Sequence, residues 1–391
     1  MSRVTSASYP VAVMMALIAA MSTAVAQNSG TIKVGVLTAL SGPAAAIGTE
    51  NLNGMRYAVE EGGGAVTGNK IELLIADDQN TPNVGLTEAR RLIDKENVPA
   101  IMGTLNSASA LAISPYTTRA EVPFIFGGIA SDLTGARKSE FSFRSSYSTG
   151  QLESPIVHFV DKRNLKKGIL IGSDNAAGRD SLKVVGDTIK RLGGTVVEEM
   201  YPRQGETDYA PYLARISDKD ADYVYGYFFG GDILRFVQAY KSFGIKNQLV
   251  ITVSALSSGG VAKALGANID GVMSVELWVW TLQDPASKSF VEGYTKAFGA
   301  APQTIAYDGY IKGRVMVEAL KAVKGNVTDR AALAKAMKAS RFPIPGGEFR
   351  FDENNNPIVT ARLVQWSWRD GDAVPNLLDT LEGLTQTGQP R

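Results

Sequence analysis

The feature that most constrains this chain is a doubled alternation. Short β-branched runs are each followed by an amphipathic stretch of helical length, and the series restarts once. Residues 31–40 (TIKVGVLTAL) form the first run, halted by Ser41, Gly42 and Pro43. Helical spacing of Leu52, Met55, Ala58 and Val59 follows over 51–61 and ends at three glycines, 62–64. Strand 70–76, helix 83–96, strand 99–103, a helix from Ala108 and strand 122–126 continue a β-α-β-α-β-α-β order. The polar, extended segment 141–148 reads as a crossing. Beyond it come helix 151–162, strand 168–171, helix 180–192, strand 195–201, helix 209–217 behind Asp208, strand 222–228, helix 232–243, strand 248–253 and a short helix, 261–265. Run 269–275 leads back to the first unit with helices 286–298 and 307–323; helix 329–339 and strands 348–351 and 358–366 close the chain. The fold class is α/β. Its sheets are of parallel type, with helices on both faces and ligands expected in the crevice at the carboxyl ends of the strands. Three loops converge there: 42–48, 104–109 and 127–131.

At 391 residues the chain exceeds one typical core, so two lobes are expected. Residues 1–26 stand apart: Arg3 is their only charge, 11–20 is an unbroken apolar run, and Ala24-Val25-Ala26 forms a small-x-small cleavage site, the pattern of a secretory signal peptide. Ten apolar residues are too few to span a bilayer. Without Arg3 the chain has 39 basic and 39 acidic residues, so no bulk field draws nucleic acid or anionic lipid. The absence of cysteine and a single histidine, His158, leave no basis for thiol catalysis, a His-based triad or a His-rich zinc site. Neither cofactor nor metal is expected. The paired acids Asp77-Asp78 and Glu198-Glu199 are neighbours on strands, pointing to opposite faces, and Asp77-Asp78 read as a turn or hinge element.

The run 98–112 (VPAIMGTLNSASALA) marks the centre of function. A buried strand passes through a small polar turn holding Asn106 and Ser107 into a helix, whose first N–H groups and serine hydroxyls suit an anion such as a carboxylate. Simple helix capping by a serine is the competing reading. The polar tail 382–391 is expected to be loose.

IKVGVLTALSGPAAAIG at 32–48, NGMRYAVEE at 53–61, GNKIELLIADDQNTP at 68–82, TDYAPYLARI with DADYVY across 207–225, and DPASKSFVEGYTKAFGAAP at 284–302 resemble the type I periplasmic solute-binding proteins of ABC transporters, in particular the leucine/isoleucine/valine-binding group. The resemblance spans the chain beyond the leader. It implies two Rossmann-like lobes joined by three hinge crossings, lobe one being 31–146 with 277–345 and lobe two 147–276 with 346–391. It also implies closure over a small ligand for an inner-membrane ABC permease, and a periplasmic, monomeric receptor.

Carried over by position, Ser107 falls on the carboxylate-binding serine, and Gly127-Gly128-Ile129 on a loop that in amino-acid binders supplies a threonine. Ile47, Ala177 and Phe228 or Phe229 fall where branched-chain binders carry tyrosines. Ser254 falls near the acid that pairs with the ligand's ammonium. An ammonium desolvated without a carboxylate costs several kcal/mol, so a compact apolar or aromatic carboxylate fits these departures. Trp278 and Trp280, sharing a strand face, would help to line its site or else pack the core. Glu276 is the acid that could rescue a hydrophobic amino acid as ligand. No bond is broken in this reading; the alternative is a soluble sensing module that partners a membrane receptor. Ser107→Ala is expected to weaken binding while leaving the unliganded melting temperature nearly unchanged.

Overall fold

The computed structural model describes residues 30–251, 256 and 260–388, with Met1. The chain runs β1 (Thr31–Thr38), α1 (Ala45–Glu61), β2 (Ala65–Val66), β3 (Asn69–Asp77), α2 (Pro82–Arg90), β4 (Ile101–Gly103), α3 (Ser107–Arg119), β5 (Phe124–Phe126) and β6 (Ser142–Arg144). These strands form one six-stranded sheet in the order β2-β3-β1-β4-β5-β6, parallel throughout except for β2 on β3.

There follow α4 (Thr149–Lys162), β7 (Lys167–Gly172), α5 (Ala176–Arg191), β8 (Thr195–Met200), α6 (Ala210–Ser217), β9 (Tyr223–Tyr227), α7 (Gly231–Ser242), β10 (Gln248–Ile251), α8 (Val261–Leu265) and β11 (Met273–Glu276). Then come α9 (Pro285–Phe298), α10 (Thr304–Ala322), α11 (Arg330–Lys338), the hairpin β12 (Arg341–Ile344) and β13 (Gly347–Arg350), β14 (Val359–Arg369) and β15 (Asp372–Leu384). The second sheet has the order β15-β14-β11-β10-β9-β7-β8, with β14 and β15 antiparallel to their neighbours. The two sheets are therefore mixed but mostly parallel, as the alternation implied.

Strands buried on both faces explain the apolar runs: Val34, Val36 and Leu37 of β1 and Ile169, Leu170 and Ile171 of β7 are wholly enclosed. α10 crosses the first sheet's helix α1 at backbone contact. A methyl group at Gly54 would collide with the Ala306 carbonyl oxygen and one at Gly309 with that of Asn51, so glycine is required at both. This docks the long C-terminal helix α10 on the N-terminal unit, far from it in sequence.

Some elements depart from expectation. α1 begins at Ala45, six residues before the apolar periodicity starts, and Gly48 in its first turns lies against the backbone of Ala39. Trp278 and Trp280 are not on a strand: β11 stops at Glu276, Trp278 stacks on Tyr307 (5.5 Å) and Trp280 tilts against Trp366 (5.9 Å). The tail is not loose through Gly388. β15 runs to Leu384, the Gln386 N–H donates to Asp352 (3.0 Å), the Gln386 amide to the Ser131 carbonyl (3.1 Å), and the Ser154 hydroxyl to the Gly388 carbonyl (2.6 Å). A polar tail orders when its backbone groups find such fixed partners. No helix among the described residues is long and apolar enough to cross a membrane.

Candidate functional site

Each sheet has a point where strand order reverses, between β1 and β4 in the first and between β7 and β9 in the second. Loops leaving the carboxyl ends of these four strands face one another across a cavity of about 580 Å³. Its first wall holds Ser41, Pro43 and Ala44 after β1, and Leu105, Asn106, Ser107 and Ala108 after β4. The second holds Asn175, Ala176 and Ala177 after β7, and Phe229, Gly230 and Gly231 after β9. Gly230 has φ 62° and ψ −137°, a conformation open to glycine, and faces the Pro43 carbonyl across the rim.

The first wall is wired to itself. Asp77 accepts from the Leu40 N–H (2.8 Å), the Ser41 hydroxyl (2.6 Å) and the Gln79 N–H (2.9 Å). Burial pushes its carboxyl up, but these bonds outweigh that and hold it below the usual range. Asp78, buried and pushed up by desolvation, accepts from the Thr104 hydroxyl and the Asn80 N–H (2.8 Å). Each acid thus clamps one cleft loop, the turn role expected of the pair.

Asn106 is the N-cap of α3: its side chain accepts from the Ser109 N–H (3.0 Å) and donates to the Asn80 carbonyl (2.9 Å). The Ser107 hydroxyl accepts from the N–H groups of Ile129 (3.0 Å) and Ala130 (3.2 Å). With both lone pairs engaged, its proton can only be donated. The N–H groups of Ser107 and Ala108 at the start of α3 have no intrahelical partner, so this turn presents donors to the cavity.

Behind it the Arg144 guanidinium is fully buried. It donates to the carbonyls of Gly128, Ala130 (2.9 Å) and Tyr147 (3.3 Å), to the Asn356 side chain (2.7 Å) and to the Thr134 hydroxyl (3.1 Å). Burial lowers it to about 9, with Asp180 and Asp352 opposing, so it keeps its charge at neutral pH.

The wall's charged residues are Asp308, Asp232 and Arg235. Asp308 forms a buried ion pair with Lys312 and accepts from the Ser145 hydroxyl (2.6 Å) and the Asn51 amide (3.0 Å). Asp232 pairs with Arg235 and accepts from the Gly205 N–H (2.9 Å). Both acids are therefore neutralised within the protein. The rest of the wall is uncharged: Tyr147, Tyr227, Phe229, Ile129, Leu277 and Ile305 give it apolar area, and Gln79, Asn80, Ser146, Asn175, Gln204 and Thr304 add polar groups.

Of the residues singled out in the sequence, Asn106, Ser107, Gly127, Ile129, Ala177 and Phe229 meet on this wall. Five do not. Ile47 is in the core because α1 starts early and turns that face inward, and Gly128 packs behind Ser107. Phe228 points from the end of β9 into the core, stacked on Phe236 (4.4 Å), leaving the cleft to its neighbour Phe229. Trp278 is buried with its indole N–H on Ser287 (2.9 Å). Glu276 is buried behind the wall, accepting from the hydroxyls of Ser274 (2.7 Å) and Thr304 (2.8 Å). Ser254 lies outside the described residues.

Sequence reasoning missed Tyr147, Tyr227, Arg144 and the pairs Asp232–Arg235 and Asp308–Lys312. The pairs carried a signal: an acid and a base three or four residues apart on a helix face that is otherwise apolar, as with Tyr307, Ile311 and Val315 around Asp308 and Lys312.

Two α/β units thus face each other across a cleft that carries hydrogen-bond donors and an apolar area. The chain belongs to the periplasmic binding protein family, whose model matches residues 31–372. A Leu/Ile/Val-binding protein homolog 7 of Brucella abortus is 30% identical, the match covering 91% of this chain and 94% of the relative. An ABC transporter substrate-binding protein from Sphaerobacter thermophilus superposes with a TM-score of 0.85 at 30% identity, covering 92% of this chain and all of the other. A solute-binding protein of an R. palustris ABC transporter, solved in complex with benzoate, superposes with a TM-score of 0.84 at 26% identity, covering 92% and 99%. These relatives are solute-binding proteins rather than enzymes.

Proposed function

We propose that this protein is the periplasmic receptor of an ABC importer and binds a small aromatic or apolar carboxylate lacking an α-ammonium group. The observation carrying this reading is the charge balance of the cleft. Both acids on the wall are already bonded to a base of their own unit, and residues 252–259, of which the structure describes Leu256, contain no acid. An incoming ammonium would lose its water and find no free carboxylate. An incoming carboxylate would find the Ser107 hydroxyl, the start of α3 and the positive charge of Arg144 behind the loop, with Tyr147, Tyr227 and Phe229 to pack its body. The benzoate complex of the R. palustris relative agrees with this class of ligand.

In this reading residues 1–26 are the leader removed on export. The lobes are 31–146 with 277–345 and 147–276 with 346–391, and the liganded monomer is presented to a permease. The rims at Pro43 and Gly230 already meet, a methyl group at Gly230 lying 3.8 Å from the Pro43 carbonyl oxygen. The bonds from the Ser131 N–H and hydroxyl to Asp180 (both 2.8 Å) link the 127–131 loop to α5. A hydrophobic amino acid is the second reading, and the Leu/Ile/Val-binding homologue favours it.

A thermal-shift screen separates the two. Benzoate, phenylacetate and aliphatic carboxylates at a hundred times their dissociation constant should stabilise the fold by about 2.7 kcal/mol. Leucine, isoleucine and valine should leave the melting temperature unchanged. A shift with these amino acids alone would favour the second reading.

A further inference from the structure

The second wall carries a cation whose geometry is set in advance. The Arg235 Nε–H donates to the Glu206 carbonyl (2.8 Å) and one terminal nitrogen bonds to Asp232, which the Gly205 N–H holds from its other side (2.9 Å). Two edges of the guanidinium are thus pinned. Nη1 has no hydrogen bond among the described residues, and the side chain, 38% exposed, lines the cavity opposite Ser107. A planar fork held this way offers directional N–H donors without losing side-chain entropy on binding. Its charge is meanwhile offset by the Asp232 carboxylate, itself buried.

Resting on the carboxylate reading above, we infer that Arg235 is a specificity-determining residue. It recognises a neutral oxygen, a hydroxyl or carbonyl, at the end of the ligand remote from its carboxylate. Two physical constraints lead to this class. A wholly apolar ligand end would leave the Nη1 donors without water or partner once the cleft closes, and sites built to hydrogen-bond an oxygen discriminate strongly against analogues lacking it. A second carboxylate would face the Asp232 charge beside the guanidinium, so it gains little from the cation and loses its own hydration. The best ligand is therefore a monoanion: an aromatic carboxylate with a hydroxyl or carbonyl group at its far end.

Calorimetric titration of the purified protein with two pairs, benzoate against 4-hydroxybenzoate and 3-phenylpropanoate against 3-(4-hydroxyphenyl)propanoate, tests this directly. Terephthalate serves as the dianion. In the pair whose length spans the cleft, the hydroxylated acid should bind roughly ten- to a hundredfold more tightly than its parent, and terephthalate more weakly than 4-hydroxybenzoate. In the charge-balanced double variant Asp232→Asn with Arg235→Met, the ratio within that pair should fall to near one. Equal affinities within both pairs in the natural protein, a comparison that needs no variant, would overturn the role of Arg235 while leaving the carboxylate reading intact. So would a hydroxyl preference that survives in the double variant. Binding of leucine with no binding of any of these acids would overturn both.

Discussion

The two walls of the cleft are built on the same plan and differ in how they are held. On the first, Asp77, Asp78, Asn106 and Ser107 spend their polar groups on neighbouring loops, and what faces the cavity is a rigid set of backbone and hydroxyl donors. On the second, Tyr227 and Phe229 line the cavity, and the charged element is a side-chain pair, Asp232–Arg235, near the start of α7. The difference teaches a division of labour. In the proposed reading one wall would fix the ligand's charged end and the other its body; of the second wall's groups Tyr227 and Asp232 are buried, and Phe229 is only packed against the core.

Substitutions can break or sharpen that contrast, beginning with the largest effect. Lys312→Met removes the buried partner of Asp308 and leaves an uncompensated, nearly buried charge on the cavity wall, which should cost about 3–5 kcal/mol of unfolding free energy in urea titration.

The next effect is one of pH. Burial, against hydrogen bonds from Tyr225 (2.7 Å) and Ser181 (2.9 Å), pushes Glu153 of α4 up to about 8, and its second oxygen has no partner among the described residues. Asp180 adds to the rise. The folded chain holds this proton where the unfolded chain releases it near pH 4.5. The associated stability is present in full below pH 4.5 and is lost as pH rises through 8. Melting temperature should fall over that window, by the equivalent of on the order of a few kcal/mol, and Glu153→Gln should flatten the profile.

Ser107→Ala is smaller but more telling. The expectation that it would spare the unliganded protein does not survive the structure, because the hydroxyl accepts from two backbone N–H groups in a buried loop. The variant should lose about 1–3 kcal/mol of stability as well as ligand affinity, measurable by denaturant titration without ligand. Phe229→Ala on the second wall should do the reverse. It should weaken binding roughly tenfold, as for about 1.4 kcal/mol of lost packing, with a melting temperature close to that of the natural protein.

The contrast also accounts for what the sequence disclosed. Loops after strands are legible because turn residues punctuate apolar runs, and the first wall is made of such loops. Thus the alternation places the loops that hold Asn106, Ser107, Gly127 and Ile129, and the family resemblance singles out Gly127 and Ile129 within theirs. A register that turns one side chain inward and the next outward is not legible at a strand end, so the sequence leaves Phe228 and Phe229 equivalent and the end of β9 at Tyr227 distinguishes them. Ile47 lies in the core and not in the cleft because α1 starts before its apolar periodicity does. Arg144 was hidden in a segment that reads only as polar and extended. Its role depends on Gly128, Ala130 and Asn356 converging on it, and Asn356 is 212 residues away.

The central claim is that the cleft accepts a carboxylate and has no place for an α-ammonium. The most direct measurement is a calorimetric comparison of 3-phenylpropanoate with phenylalanine, which differ only by the amino group on one skeleton. The charge balance around Asp308 and Asp232 predicts that 3-phenylpropanoate binds at least a hundredfold more tightly, about 2.7 kcal/mol. Phenylalanine binding as tightly as its deaminated analogue, or more tightly, would contradict it.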